Sequence, residues 1–354
     1  MSPIKTALLS YGMSGKVFHA PFLTLHHGFE LAGAWERSNQ LIAKDYPGVR
    51  SYSSIENLLA DDSIELVIVN TPTYTHFEHS KRALLAGKHI VVEKAFTTTL
   101  EEAIELKALA EKQNKKISVF QNRRWDSDFK TVQKVLNEEW LGQVVEAEIH
   151  FDRYNPALSP KKHKEIPGPG AGILKDLGPH LIDQAICLFG RPVAVFADIR
   201  ITRELSEVDD WIDILLFYPK SRIRLKAGYF VREAPPSFIV HGTRGSFLKK
   251  RSDVQEANLL AGMKPNIIDW GAEPEGTWGL LHMENNGKVV REYVPSLPGN
   301  YYDYYDGVYK SLKSGVSMPV TADDGIDVMC VLIGTLKSHE EKRIIPVLYP
   351  DRAK

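Results

Sequence analysis

In Asp176-Leu177-Gly178-Pro179-His180, a carboxylate and an imidazole stand four residues apart, with Asp183 close behind. An imidazole beside a carboxylate is the usual means of taking a proton from a carbinol, because the carboxylate fixes the tautomer and stabilises the imidazolium that forms. On one uninterrupted helix Asp176 and His180 would share a face. Pro179, however, suits a first helical position with Gly178 before it, which lets Asp176 project from the turn and sets His180 and Asp183 on the first helical face. Taken alone, the segment reads equally as a helix cap with a surface histidine. Lys94, in Val91-Val92-Glu93-Lys94-Ala95, is the second candidate. An ammonium at the carboxyl edge of a parallel sheet can donate to a hydroxyl and hold a developing alkoxide, although a Glu-Lys pair there is otherwise a solvated strand end.

The third signal is Ser10-Tyr11-Gly12-Met13-Ser14-Gly15, a dinucleotide fingerprint with its first glycine replaced by Ser10. Gly12 would let the backbone approach a pyrophosphate and Gly15 would let helix and strand pack closely. The helix-start N–H groups around Met13 and Ser14 would hold the anion. Glu36 lies 21 residues after Gly15, where a carboxylate can accept both ribose hydroxyls and repel a 2′-phosphate. Arg37 and Ser38 follow at once and are the types that bind such a phosphate. NAD and NADP both stay open.

These residues need a parallel sheet to position them. Strand candidates are Ile4–Ser10, Phe29–Glu36, Leu66–Asn70, His89–Glu93 and Ile117–Gln121, alternating with amphipathic stretches. Capping boxes are expected at Ser53 with Glu56, Thr75 with Glu78 and Thr99 with Glu102, and Gly87 is placed to end a helix. The fold class is therefore α/β, with a doubly wound Rossmann domain over residues 1–122. Over residues 123–354 the texture changes to α+β with an open, mostly antiparallel sheet. After a helix at Asp128–Asn137, strand-like runs at Val144–Tyr154, Val193–Ile201, Trp211–Tyr218, Arg222–Tyr229 and Phe238–His241 follow one another. Helices are expected at Pro179–Phe189, Tyr302–Ser314 and Asp323–Glu341, the last capped by Thr321 with Asp324. Asn155–Gly172, rich in Pro, Gly and Lys, reads as a mobile loop on the substrate side.

Composition narrows the function classes. Lys plus Arg is 44 and Asp plus Glu is 45, a net charge of −1 that offers no basic field for nucleic acid or anionic membranes. Cys187 and Cys330 cannot build a disulfide scaffold or a four-cysteine zinc site. With no uninterrupted apolar stretch of about 18 residues, the reading is a cytoplasmic protein. His76-x-x-His79 has metal-ligand spacing but no third ligand nearby, so no metal is expected. Tyr301-Tyr302-Asp303-Tyr304-Tyr305 opens an amphipathic helix and reads as packing or a subunit contact.

With Ser10–Gly15 as the turn, Asn70-Thr71-Pro72 ending one strand, Glu93-Lys94 ending the next and Asp176-x-x-x-His180 beyond, the chain resembles the Gfo/Idh/MocA oxidoreductases over nearly its whole length. The resemblance implies a Rossmann domain binding NAD or NADP. It also implies a C-terminal sheet carrying a polyol or sugar substrate and often an oligomer interface, so a homodimer or homotetramer is expected. The family's Glu-Lys-Pro lysine falls on Lys94, with Ala95 in place of the proline, and its Asp and His fall on Asp176 and His180. Val17-Phe18-His19-Ala20-Pro21, Gln121-Asn122-Arg123-Arg124-Trp125-Asp126 and Asp176–Gln184 look most like the NADP-linked scyllo-inositol dehydrogenase branch.

What the resemblance implies is reversible hydride transfer between nicotinamide and a secondary hydroxyl of a cyclitol or sugar. His180 is then the base, Asp176 orients it or binds an adjacent hydroxyl, and Lys94 polarises the oxygen and touches the nicotinamide ribose. Thr71, Pro72, His76 and Glu93 join the cofactor side, although His76 reads equally as a helix-start residue in water. Asn122, Arg123, Arg124, Trp125 and Tyr154 are the substrate-side candidates, since vicinal hydroxyls need convergent donors. The arginines read equally as partners of Asp126 and Asp128. Two alternatives stand beside this reading. One is a non-catalytic nicotinamide-binding sensor, which would have no use for Lys94, Asp176 and His180 together. The other is a same-fold reductase of a non-sugar substrate, for which the Asp-x-x-x-His pair is dispensable.

Overall fold

Leu66-Val67-Ile68-Val69 is buried at every position, as both faces of an interior parallel strand require. In the computed structural model, which describes residues 2–37, 40–159 and 162–351, this run is one of six parallel strands. They are β1 (Ile4–Leu8), β2 (Phe29–Trp35), β3 (Arg50–Tyr52), β4 (Leu66–Val69), β5 (His89–Glu93) and β6 (Ile117–Phe120), in the order β3-β2-β1-β4-β5-β6. Chain order reverses direction between β1 and β4, and at that switch point ligands bind beyond the carboxyl ends of strands. The Ser10–Gly15 turn leaves β1 there, and Asn70-Thr71-Pro72 leaves β4. Strand β3 was not expected from the sequence, because three residues of mixed polarity carry no periodic signal.

The sheet belongs to a compact unit made of Met1–Asn122, Gln255–Trp270 and Asn300–Ile326. It is thus not delimited by a single cut after residue 122. The reason is aromatic: Tyr301, Tyr304 and Tyr305 are fully buried, against Phe22, Phe120 and His19.

Helix starts match the expected caps unevenly. Thr99 forms the full capping box with Glu102, each side chain meeting the other's backbone N–H at 3.2 Å. At the helix Ile55–Leu59 the capping oxygen is that of Ser54, not Ser53, whose hydroxyl takes the Asn57 side chain instead. Thr75 caps nothing; its hydroxyl donates to the Pro72 carbonyl at 2.7 Å. Gly87 takes a φ of +72° where the helix His76–Leu85 gives way to β5, as a left-handed terminator should.

The second unit comprises Arg123–Val254, Gly271–Gly299 and Asp327–Lys354. Its strands are β7 (Val144–His150), β8 (Ala194–Arg200), β9 (Trp211–Phe217), β10 (Arg222–Gly228), β11 (Phe238–Gly242), β12 (Gly245–Lys249), β13 (Gly279–Asn285), β14 (Lys288–Val294) and β15 (Ile345–Pro346). They form one sheet, β14-β13-β12-β11-β7-β10-β9-β8-β15, antiparallel except where β10 runs parallel to β7. The helix Gly178–Phe189 packs on β7 and β10, burying every residue from Gly178 to Ala185. Helix Ala322–Glu341 opens on reciprocal bonds between Thr321 and Asp324, and its Ser338 hydroxyl accepts from the Ala197 N–H of β8 at 3.0 Å. A fully buried ion pair, Lys249 Nζ to Glu273 Oε2 at 2.6 Å, sits among the Ser252, Thr277 and Ser296 hydroxyls. Among the described residues no helix is long and apolar enough to cross a membrane.

Candidate active site

The turn after β1 is built by close packing on one side and openness on the other. A Cβ on Gly15 would lie 2.3 Å from the Ser10 carbonyl oxygen and 2.9 Å from Asn70 Nδ2, so only glycine fits. Asn70 Nδ2 donates to that same carbonyl at 2.7 Å, tying the end of β4 to the turn. On Gly12 a Cβ would meet nothing closer than the Ser10 hydroxyl at 3.4 Å, and Met13 beside it is exposed. A turn that is closed behind and clear in front is what a dinucleotide pyrophosphate needs.

Glu36 has protein partners of its own. Its carboxylate accepts from the Leu41 and Ile42 N–H groups at 2.9 and 3.2 Å and from the Ser51 hydroxyl at 3.2 Å. It therefore caps the helix Leu41–Asp45, a task that competes with holding ribose hydroxyls. Arg37 is exposed beside it, and Ser38 lies outside the described residues.

At the end of β5 the Glu93 carboxylate gathers a chain of buried hydrogen bonds. Ser14 Oγ donates to its Oε1 at 2.5 Å, and His19 Nε2 lies 3.0 Å from the same oxygen. A carboxylate oxygen only accepts, so His19 donates there, and its Nδ1 lies 2.6 Å from the Tyr305 hydroxyl. Burial alone would raise the Glu93 carboxyl, but hydrogen bonds from His19 and Ser14 and the charge of Lys94 prevail and hold it below its ordinary value. The Lys94 N–H donates to Glu93 Oε2 at 3.3 Å, and the Lys94–Ala95 peptide is cis. His76 is buried, not in water: Nδ1 lies 2.8 Å from the Ala95 carbonyl and Nε2 2.8 Å from that of Thr71. Burial holds its pKa below the usual histidine value, against the two carbonyl contacts. The Thr71 and Thr75 hydroxyls meet at 2.7 Å just beyond Pro72's neighbouring turn.

In the second unit the helix breaks at Leu177, just ahead of Gly178-Pro179. Asp176 ends a short helix, Ile173–Asp176, and His180 stands in the first turn of the next. His180 is buried, which removes the surface-histidine reading. Asp176 Oδ2 accepts from Lys164 at 3.2 Å, a residue of the loop expected to be mobile. Glu165 of the same stretch meets Arg203 at 3.0 Å, and Arg203 in turn meets Asp210 at 2.9 Å. Asp183 is held two-fold by Arg124, Nε at 2.9 Å and Nη2 at 2.6 Å. Arg123 lies 3.4 Å from Asp126, and its carbonyl accepts from Gln184 Nε2 at 3.5 Å. Asn122 is buried at the end of the first unit, and Trp125 is half-buried. Tyr154 falls beyond β7 in an isolated bridge to Phe230, its exposed ring under the Arg232 guanidinium at 3.7 Å. Sequence reasoning missed His19 and Tyr305 as supports of Glu93, for they come from distant segments with no local motif linking them.

Comparison with known proteins agrees with this architecture. Residues 4–121 match the model of an oxidoreductase family with an NAD-binding Rossmann fold, and residues 129–248 match the Gfo/Idh/MocA C-terminal domain. The NADP-linked scyllo-inositol 2-dehydrogenase IolW of Bacillus subtilis is 36% identical, over 97% of this chain and 95% of its own. A crystal structure from Bacteroides fragilis, provisionally designated an oxidoreductase, is 44% identical with a TM-score of 0.90, covering 98% of this chain and 100% of that one. Another so designated, from Yersinia pestis, is 37% identical with a TM-score of 0.93, covering 99% of each chain.

Proposed function

This chain belongs to the Gfo/Idh/MocA family of oxidoreductases with an NAD-binding Rossmann fold, and from that premise we propose that it interconverts a secondary hydroxyl and a ketone on a cyclitol or sugar, with NADP preferred over NAD. The observation that carries the reading is an imidazole, His180, buried at a helix start of the second unit, in a chain whose first unit sets Lys94 at the end of β5. Similarity to IolW over almost the whole chain supports a scyllo-inositol-like substrate.

Gly12, Met13, Ser14 and Gly15 would hold the cofactor's pyrophosphate, with Thr71, Pro72 and His76 lining the neighbouring turn. When bound, the nicotinamide supplies the hydride chemistry. His180 takes the hydroxyl proton, Asp176 orients the imidazole or an adjacent hydroxyl, and the Lys94 ammonium stabilises charge that develops on the oxygen.

The cofactor preference rests on Glu36, whose carboxylate is engaged in capping while Arg37 stays exposed. Arg37→Ala is expected to lower kcat/KM for NADP by roughly 10-fold or more, the worth of one charge-assisted hydrogen bond, and to change NAD little. Side-by-side kinetics with both cofactors test this, and an equal fall for both would remove Arg37 from phosphate recognition.

A homodimer is part of the same proposal. Register places Phe196, Leu215, Arg224, Glu148, Ile239, Leu248, Leu280 and Tyr293 in one row across eight strands, on the sheet face that the helix Gly178–Phe189 does not cover. The row is apolar at both ends with a cation and an anion adjacent at its middle. A two-fold axis there sets Arg224 of one copy against Glu148 of the other. Sedimentation equilibrium should return twice the chain mass, with Glu148→Arg shifting the chain toward monomer; a wild-type monomer at micromolar concentration would sink the assignment.

A further inference from the structure

Asp209 and Asp210 precede β9, and each holds a different neighbour. Asp210 takes the Thr202 hydroxyl at 2.7 Å and Arg203 Nε at 2.9 Å. Arg203 in turn donates to the Ala157 carbonyl and to Glu165, both at 3.0 Å, on the stretch of chain ahead of Asp176. Asp209 holds the start of the short helix Ile173–Asp176 instead. Its backbone carbonyl accepts from the Ile173 N–H at 2.8 Å and its Oδ2 from the Leu174 N–H at 2.7 Å. One residue thus satisfies two successive N–H groups that a helix start leaves without a partner inside the helix.

Gly172 shows how closely this clamp is fitted. A Cβ there would lie 2.0 Å from Asp209 Oδ1, and the backbone has a φ of +90°, so space and conformation both call for glycine. Burial pushes the Asp209 carboxyl above its ordinary value, and the Leu174 N–H is the strongest of the influences that oppose it. From Leu174 onward the backbone passes the constraint along. The Ile173 carbonyl accepts from the Leu177 N–H at 2.8 Å, and the Leu177 carbonyl from the His180 N–H at 3.1 Å. Asp176 closes the same turn, its N–H on the Gly172 carbonyl at 3.1 Å. Asp176 and His180 are therefore carried on one hydrogen-bonded path that begins at Asp209, and all of it lies in the second unit.

We infer that Asp209 is a positioning residue: it clamps the helix Ile173–Asp176 and so fixes where Asp176 and His180 stand for the reaction. A helix of a single turn does not hold its own form without an anchor. Misplacing a reacting group by about 1 Å can cost roughly 100-fold in rate, which is how a residue that acts only through the backbone governs kcat. The inference rests on the reading above that Asp176 and His180 act on the hydroxyl of a sugar or cyclitol.

The test uses the full chain with NADP and a panel of sugars and cyclitols. Amide hydrogen exchange, read by mass spectrometry, reports on the clamp without any need for turnover. In Asp209→Ala, shown folded by circular dichroism, exchange over residues 173–180 should rise while that of β1 to β6 stays as in the wild type. The kcat should fall roughly tenfold, the worth of one capping bond, with cofactor affinity unaltered. Asp209→Asn keeps an acceptor oxygen for the Leu174 N–H and should recover most of that loss, since Asn and Asp cap about equally well. Should Asp209→Ala not fold, Asp209→Ser serves in its place, because the serine hydroxyl stops one bond short of the carboxylate oxygens. On the His180→Ala background the loss of Asp209 should cost kcat far less, the residue it positions being gone. Unchanged exchange or unchanged kcat in the folded variant overturns the inference, as does an equal loss on the His180→Ala background. A loss in Asp209→Asn as deep as in Asp209→Ala overturns the hydrogen-bonded clamp. If nothing on the panel is turned over yet exchange over 173–180 rises, the clamp stands and the sugar and cyclitol reading falls. If a sugar is turned over and folded Asp209→Ala matches the wild type in kcat, that reading stands and the positioning role falls.

Discussion

Lys94→Ala is expected to lower kcat by roughly 10²–10⁴-fold, the usual loss when a positioned group that meets developing charge is removed. The expectation follows from how the residue is held. Glu93 accepts from the Lys94 N–H and is itself fixed by Ser14 and His19, so the backbone at Lys94 is anchored on both sides of β5's last residue. An anchored backbone fixes the point from which the side chain reaches, which is one part of preorganisation. Steady-state nicotinamide absorbance gives kcat, and fluorescence titration gives cofactor affinity. The fall should be in kcat, with cofactor affinity changed far less. A variant that turns over like the wild type removes Lys94 from the chemistry.

His180→Ala should cost a similar factor, roughly 10²–10⁴ in kcat, as loss of a general base does. It carries a second signature that a structural defect would not produce. In the wild type, kcat/KM for alcohol oxidation should rise with pH as the imidazole loses its proton, and in the variant that rise should flatten. An unchanged pH profile in a folded, slow variant would mean that another group takes the proton. The proposed mechanism has both residues act on one oxygen, so the Lys94→Ala, His180→Ala double variant should be less impaired than the product of the two single losses.

The parallel sheet was readable because its strands are apolar on both faces and its helices carry their own start signals, as Thr99 does. The β13–β14 hairpin was not, since its strands are largely exposed at the sheet edge and alternate no apolar set. One local cue was there to be found: Asn286-Gly287, both with positive φ, is the dipeptide that closes a two-residue hairpin. Site residues divide in the same way. Gly15 was legible because its role is steric and local. Glu36 and Arg124 were not, because what each side chain meets depends on segments far away: Ser51 for Glu36, Asp183 for Arg124. Residue type sets what a group can bind, and only the fold decides which partner reaches it first.

His76 stands between two backbone carbonyls, and a carbonyl can only accept. The neutral ring that burial favours carries a single proton. At any instant, then, one contact is a hydrogen bond and the other sets a nitrogen lone pair against an oxygen lone pair. The join between the segment after β4 and the Ala95 corner is a tautomeric equilibrium, not a fixed strut. A second proton would complete both bonds, but burial opposes it, so the unfolded chain binds that proton more readily than the folded one. Acidification below the usual histidine range therefore withdraws stability through this one ring, at the corner next to Lys94.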